Sequence, residues 1–172
     1  MLVQQHQAAA FRLAYLLLGD ADEAEDVAQD AFIRAYRALD RFDATRPFRP
    51  WLMRIVVNLA HNLRRATSRY LASLQRLIRA DPDSLGETAK GRRSEPGGEE
   101  SQILWQAVRR LKPMDQQVIY LRYFLELSEA EMAETLQIAP GTVKSRTHRA
   151  LNHLRAVVEH EFPMLRESLT ND

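Results

Sequence analysis

The stretch SEAEMAETLQIAPGTVKSRTHRA, residues 128–150, decides how this chain folds. Ser128 with Glu131 three residues later forms a capping box, which opens a helix by satisfying backbone N–H groups reciprocally. That helix runs to Leu136, and a three-residue turn at Gln137–Ala139 follows. Pro140 then opens a second helix, to about Val158, at a position where its missing N–H costs nothing. A short helix, a tight turn and a longer helix predict a helix-turn-helix. Ala133 is small where the two helices cross, and Leu136, Ile138 and Val143 supply the contacts that fix the crossing. Ala150, Leu151 and Leu154 continue the buried side. Thr142, Lys144, Ser145, Arg146 and Arg149 are left facing out, with no acid among them. They stand near the start of the second helix, where a recognition helix enters the major groove and a helix N-terminus can receive a phosphate. The plain alternative is a helical hairpin with a solvated face.

Working outward, two further helices precede this motif, Ile103–Leu111 and one from Pro113 to about Leu125. Residues 81–100 differ in kind. Pro82, Gly86, Gly91, Pro96, Gly97 and Gly98 lie among charges with no apolar period, which predicts a flexible linker. Before it, the periodicity is helical and no strand pattern occurs. A helix from Gln5 to Leu18 stops at Gly19, a C-cap residue. The run at 20–23 reads as a second capping box, between Asp20 and Glu23. The helix it opens has Ala24, Val27, Ala28, Ala31, Phe32, Ala35 and Leu39 on one face and Asp22, Asp26, Gln29 and Ile33 on the other. The segment 41–48, with Pro47, reads as a loop. A third helix turns Trp51, Leu52, Ile55, Leu59 and Leu63 inward and carries Arg54, Asn58, His61 and Arg65 as one polar stripe. Trp51 reads as a core anchor. Residues 66–80 remain helical, with Leu71, Leu74, Leu77 and Ile78 on one side as ordinary packing. The expected fold class is therefore all-α: two small helical domains, 1–80 and 101–172, joined by a linker over 81–100.

The chain has 172 residues, no cysteine and a net charge of +1. Disulfides and thiolate metal sites are excluded. The apolar stretch 13–18 is about a third of the ~20 residues a membrane span needs, so no membrane insertion is expected. The first residues carry no basic cluster, so no signal peptide is expected either, and a cytoplasmic location follows by elimination. His6, His61, His148, His153 and His160 include no i, i+4 pair, so no helical metal site is expected. Neither a nucleophile with a base partner nor a Gly-rich phosphate loop can be found, so neither an enzyme nor a cofactor is expected. Charge is segregated twice. Asp20, Asp22, Glu23, Glu25, Asp26 and Asp30 form an acidic block, and the arginine-rich segment 34–65 follows it. Later, Glu126, Glu129, Glu131 and Glu134 precede the acid-free stretch holding Lys144, Arg146, Arg149 and Arg155. Sign segregation in both halves points to separate surfaces for a basic partner and for an anionic one.

Three segments together resemble the extracytoplasmic-function sigma factors of RNA polymerase. PGTVKSRTHRA at 140–150 resembles their region 4 recognition helix, AEDVAQDAFIRAYR at 24–37 their region 2 core helix, and FRPWLMRIVVNLA at 48–60 the promoter-reading helix of region 2. The resemblance implies core RNA polymerase and promoter DNA as partners, with an anti-sigma factor as a further one. It implies that Asp26, Gln29 and Asp30 dock on the polymerase clamp. Asp43, Thr45, Arg46 and Phe48 in the loop, with Arg54, Asn58 and His61, would read the minus-ten element and hold an unstacked base. Thr142, Lys144, Ser145, Arg146 and Arg149 would meet the minus-thirty-five element. The chain departs from the family at Gln137, where the turn usually has Gly, and at Ala139, where an N-cap Ser is usual. Each departure costs about 1 kcal/mol.

Two rival functions use the same residues. A self-sufficient repressor or activator would bind its site alone, yet a dimerisation domain has no need of an acidic second helix beside a basic third one. A protein-interaction module, such as an inhibitor that occupies the clamp, has no need of an acid-free 140–150 segment. Run-off transcription with core polymerase separates all three.

Overall fold

The computed structural model describes the backbone of residues 2–80 and 99–162 and the side chains of 3–72 and 103–162. The chain divides into two compact helical units, 1–93 and 94–172. The expected linker at 81–100 lies outside the described residues except at Glu99 and Glu100, where a helix begins.

In the first unit, α1 (Leu2–Leu18), α2 (Ala21–Arg37) and α3 (Phe48–Ala80) form a bundle in which each helix packs against the other two. α1 buries Ala10, Leu13, Ala14 and Leu17, an i, i+3, i+4, i+7 stripe. It stops because Gly19 adopts φ 78° and donates its N–H to Tyr15 O at 2.7 Å, a conformation that costs glycine nothing. Asp20 then caps α2 by accepting the Glu23 N–H at 2.9 Å. This is half of the expected box, since Glu23 is itself an acid beside an acid. Burial first, and then the Asp20 charge, raise its carboxyl above the ordinary range. The buried face of α2 is Ala24, Val27, Ala28, Ala31 and Ala35, small residues that let the three helices approach closely. Phe32 is half-buried and Leu39 exposed, so the expected stripe ends earlier than its periodicity suggested. Leu39–Arg41 form a 3-10 turn instead of the last helical turn.

α3 is one continuous helix of 33 residues, and its buried face is rotated from the expected one. Leu52 and Leu59 are buried as expected, but Met53, Val56, Val57 and Ala60 complete the core. Trp51, Ile55 and Leu63 are only half-buried. The i, i+3, i+4 pattern admits both faces, and packing against α1 and α2 selects between them. Arg64 Nη1 reaches back to donate to Leu17 O at 3.4 Å, at the end of α1 where carbonyls lack helical partners.

The second unit contains α4 (Glu99–Arg110), α5 (Pro113–Ile119), α6 (Glu129–Leu136) and α7 (Pro140–Glu161). α7 packs against the other three. The helix expected from Pro113 to Leu125 is α at first and then widens to a π turn over Tyr120–Phe124. That turn buries Tyr120 and Leu121 and groups Tyr120 and Phe124 with Trp105 at centroid distances of 5.4–5.8 Å. Gln116 Nε2 donates to Arg109 O at 3.0 Å and Leu111 O at 2.8 Å, satisfying carbonyls at the end of α4.

Candidate nucleic-acid interface

The helix-turn-helix is built as the residues direct. Ser128 Oγ accepts the Glu131 N–H at 3.2 Å while a Glu131 carboxylate oxygen accepts the Ser128 N–H at 2.8 Å, a complete capping box for α6. Gln137 sits at φ 55°, left-handed, and Ile138 N–H reaches Ala133 O at 3.1 Å, the long bond of a Schellman turn. Gln137 Nε2 offsets part of its strain by donating to Glu134 O at 2.8 Å. Ala139 is the N-cap of α7 and makes no side-chain bond, as its methyl dictates. Val143 and Ala150 are fully buried and Ala133 nearly so. Leu151, expected inside, is 36% exposed, because it lies 100° past Ala150 and off the buried stripe. On the far side, His153 Nδ1 meets an Asp115 carboxylate oxygen at 2.7 Å, which ties α7 to α5.

Lys144, Ser145 and Arg149 are exposed, whereas Thr142 and Arg146 are half-buried on the flank of the helix. The five expected residues therefore separate into an outward set and a flanking pair. The outward stripe also holds His148 and Asn152, which the sequence reading passed over. Their signal was available: they stand three and seven residues after Ser145, and no acid occurs between Pro140 and Val158.

In the first unit the loop before α3 is a tight turn. Asp43 Oδ1 accepts the Thr45 hydroxyl at 2.6 Å and the Thr45 N–H at 3.0 Å, and Arg46 N–H donates to Asp43 O at 3.0 Å. The Thr45 hydroxyl, then the Thr45 N–H, and less strongly the Arg46 charge hold the Asp43 carboxyl below its usual range, against a small opposing effect of desolvation. Phe48 belongs to an aromatic cluster: Phe42–Trp51 centroids are 4.7 Å apart, Phe48–Trp51 5.5 Å and Phe42–Phe48 5.7 Å. Arg54 and Asn58 line an open concavity of about 340 Å³ with Trp51, Ile55, Leu59 and Asn62 of α3 and Arg34 and Ala38 from α2 and its end. Trp51 is thus a wall of this cup as well as an anchor for the loop. His61 is not among the lining residues. Burial, then the charges of Arg64 and Arg65, push its imidazole below the ordinary range, so it is neutral at neutral pH.

On α2, Asp26 and Gln29 are exposed, and Asp30 is half-buried. Arg34 binds Asp30 through both Nε and Nη2 at 3.0 Å, and Gln29 Nε2 donates to Glu25 at 3.2 Å. Among the described residues, Asp26 has neither a hydrogen bond nor an ion pair. Beside Gln29 runs an open groove of about 760 Å³, walled by Val3 and Phe11 of α1 and Phe32 and Ile33 of α2. This face combines exposed acids with apolar side chains, Phe11 at 40% and Ile33 at 49% exposure. Among the described residues no group of His, Asp and Glu side chains could hold a metal ion.

Comparison with known proteins places both units. Residues 2–70 match Sigma-70 region 2, and residues 101–154 match Sigma-70 region 4. The ECF RNA polymerase sigma factor SigW of Bacillus subtilis is 36% identical over 159 residues, covering 90% of this chain and 85% of SigW. The RNA polymerase sigma-H factor of Pseudomonas aeruginosa is 32% identical over 174 residues, covering 98% of this chain and 88% of that protein. Among solved structures, CnrH in complex with the cytosolic domain of CnrY is similar, with a TM-score of 0.68 and 27% identity over 93% of this chain and 86% of that one.

Proposed function

The chain belongs to the ECF RNA polymerase sigma-factor family, and from that premise we propose how its surfaces divide the work. A sigma factor binds core RNA polymerase and directs it to start transcription at particular promoters. Region 2 and the region 4 helix-turn-helix recognise the promoter, and the chemistry of RNA synthesis belongs to the polymerase. No described helix is long and apolar enough to cross a membrane. The cytoplasm, where polymerase and promoter meet, is the proposed place of action.

Asp26, Gln29 and Asp30 on α2 dock on a basic surface of the polymerase, with Asp26 contributing most because Arg34 already offsets Asp30. Arg54 and Asn58, in the cup beside Trp51, meet an unpaired base of the minus-ten element, for which a polar rim against an aromatic wall is suited. Asp43, Thr45, Arg46 and Phe48 form the turn at the entrance to α3. His61 acts further along that helix as a neutral hydrogen-bonding group. Lys144, Ser145 and Arg149 read the minus-thirty-five duplex, while Thr142 and Arg146, on the flank, meet its phosphates. An anti-sigma factor is the further partner, and CnrH, solved with a domain of CnrY bound, is the precedent.

One observation carries this reading: a helix-turn-helix whose first helix has a complete capping box and whose second helix has an outward basic face occurs in the same chain as an exposed acidic helix. Run-off transcription tests it. Transcripts from a linear promoter library are expected only when core polymerase and this chain are both present. Tight, site-specific DNA binding by the chain alone, with no gain in transcripts, would favour the repressor or activator reading instead.

A further inference from the structure

Resting on the reading of α7 as a recognition helix, we propose that Asn152 reads an adenine in the promoter duplex and that His148 is its positioning residue. Ser145, His148, Arg149 and Asn152 are all exposed and fall at i, i+3, i+4 and i+7, a single stripe. A homeodomain helix lying along the major groove reaches base edges with this same spacing. Ser145 and Asn152 are about 10 Å apart along the axis, or roughly three base-pair steps, so the stripe extends the readout beyond Lys144 and Ser145.

Asn152 Nδ2 lies 3.3 Å from His148 Nδ1. With Nδ2 as the donor, the contact requires His148 to accept at Nδ1, which is the Nε2–H tautomer. The bond uses one N–H of the carboxamide and fixes which end is nitrogen. What remains is one N–H donor beside the Oδ1 acceptor, and this pair complements N7 and the N6 amino group of adenine. A carboxamide left to rotate would present the reversed pattern as readily. The fold itself has little use for the pair. Both side chains point away from the core, and Asn is a poor residue for a helix interior because its side chain competes for backbone hydrogen bonds. His153, one residue on, is the histidine that ties the helix to its own unit.

Core polymerase reconstituted with the full chain would transcribe a promoter pool randomised across both elements, and sequencing the barcoded transcripts gives a base preference at each position. Asn152→Ala is expected to reduce the preference for adenine at one position by roughly 5- to 150-fold and to leave the other positions as they were. His148→Leu should flatten the same position, and His148→Gln, which keeps an acceptor four residues before Asn152, should restore most of it. A side chain with only a structural role would change all sequences alike. Thermal unfolding of each variant checks that the unit remains folded. The proposal is overturned if Asn152→Ala alters no single position, or alters one whose preferred base is not adenine, while Arg149→Ala still changes a preference; the recognition helix would then stand without this pair. If neither variant changes any preference, the reading of α7 has failed and the proposal with it.

Discussion

In the first unit the polar stripe of α3 borders a cup, whereas in the second the polar stripe of α7 stands clear of its surroundings. Both stripes lie on helices with a proline in the first turn, Pro50 in α3 and Pro140 in α7, and both carry arginine and a side-chain amide. The difference lies in what flanks them. Beside Arg54 and Asn58 stand Trp51 and, from α2 and its end, Arg34 and Ala38, which close a concavity of about 340 Å³. No such wall is needed beside Ser145, His148 and Asn152, all of them exposed. A cup with an aromatic wall suits one unstacked base, and a projecting helix suits the floor of a duplex groove. On the proposed division of work, similar side chains on a helix would serve different forms of DNA, depending on whether a neighbouring helix walls them in.

The sharpest way to break this comparison is to remove the wall. Trp51→Ala removes the ring that packs on Phe42 and Phe48, so the first unit should lose about 2–3 kcal/mol, less than a fully buried Trp because Trp51 is half-exposed. Promoter opening, followed by permanganate reactivity of unpaired thymines, should fail even below the new melting point. Trp51→Phe should restore most of both. Normal opening by a folded Trp51→Ala protein would show that the cup has no part in holding a base.

Reversing the charge on the proposed docking face comes next. Asp26→Arg should weaken binding to core polymerase by roughly tenfold to a hundredfold, with a helical circular dichroism spectrum unchanged, since Asp26 is exposed and supports nothing in its own unit. Unchanged affinity removes Asp26 from the docking face.

On α7 the comparison becomes one between two arginines. Arg149→Ala should cost about 1–3 kcal/mol of discrimination at a single base pair. Arg146→Ala, on the half-buried flank, should weaken all promoters alike and lower the salt slope by about one unit. If the two patterns are exchanged, so are the roles assigned to outward and flanking positions.

Stability and reading should also separate. Ala139→Ser supplies the missing N-cap of α7 and should stabilise the second unit by about 1 kcal/mol, raising its melting point by roughly 4–8 °C with no change in base preference. A changed preference would mean that the turn itself touches DNA bases.

The smallest expected effect is on pH dependence in the first unit. Folding pushes His61 below its ordinary value of 6.5, by burial and then by Arg64 and Arg65, and pushes His6 down by burial and then by Arg49. The unfolded chain therefore binds protons more readily. Stability should be complete above pH 6.5 and decline as the pH falls through that value. His61→Gln should make the urea midpoint less sensitive to pH between 7 and 5.5, and an unchanged slope would place the acid sensitivity elsewhere.

The sequence by itself determined most of the helix boundaries and the chemistry of the surfaces. Gly19, Asp20, Ser128 with Glu131, and Pro140 are local signals, because a helix end is decided by a few backbone groups and the side chain beside them. Gln137 stood out through the family resemblance, as the residue that replaces the usual turn Gly, and the structure gives it the left-handed conformation. Charge segregation was legible too, since like charges gathered on a helix stay at the surface wherever the helix packs. Tertiary structure alone decided which face of α3 is buried. Trp51, Ile55 and Leu63 compete there with Met53, Val56 and Val57 at nearly the same period, and only the positions of α1 and α2 choose between them. It also decided that Trp51 walls a cup, because that cup needs Arg34 and Ala38 from another element. On α7 it turned Leu151 outward and moved Arg146 to the flank, since the buried arc depends on how closely α5 and α6 pack against α7. Capping is settled within four residues of chain, whereas the width of a buried face is settled by neighbours that no periodicity contains.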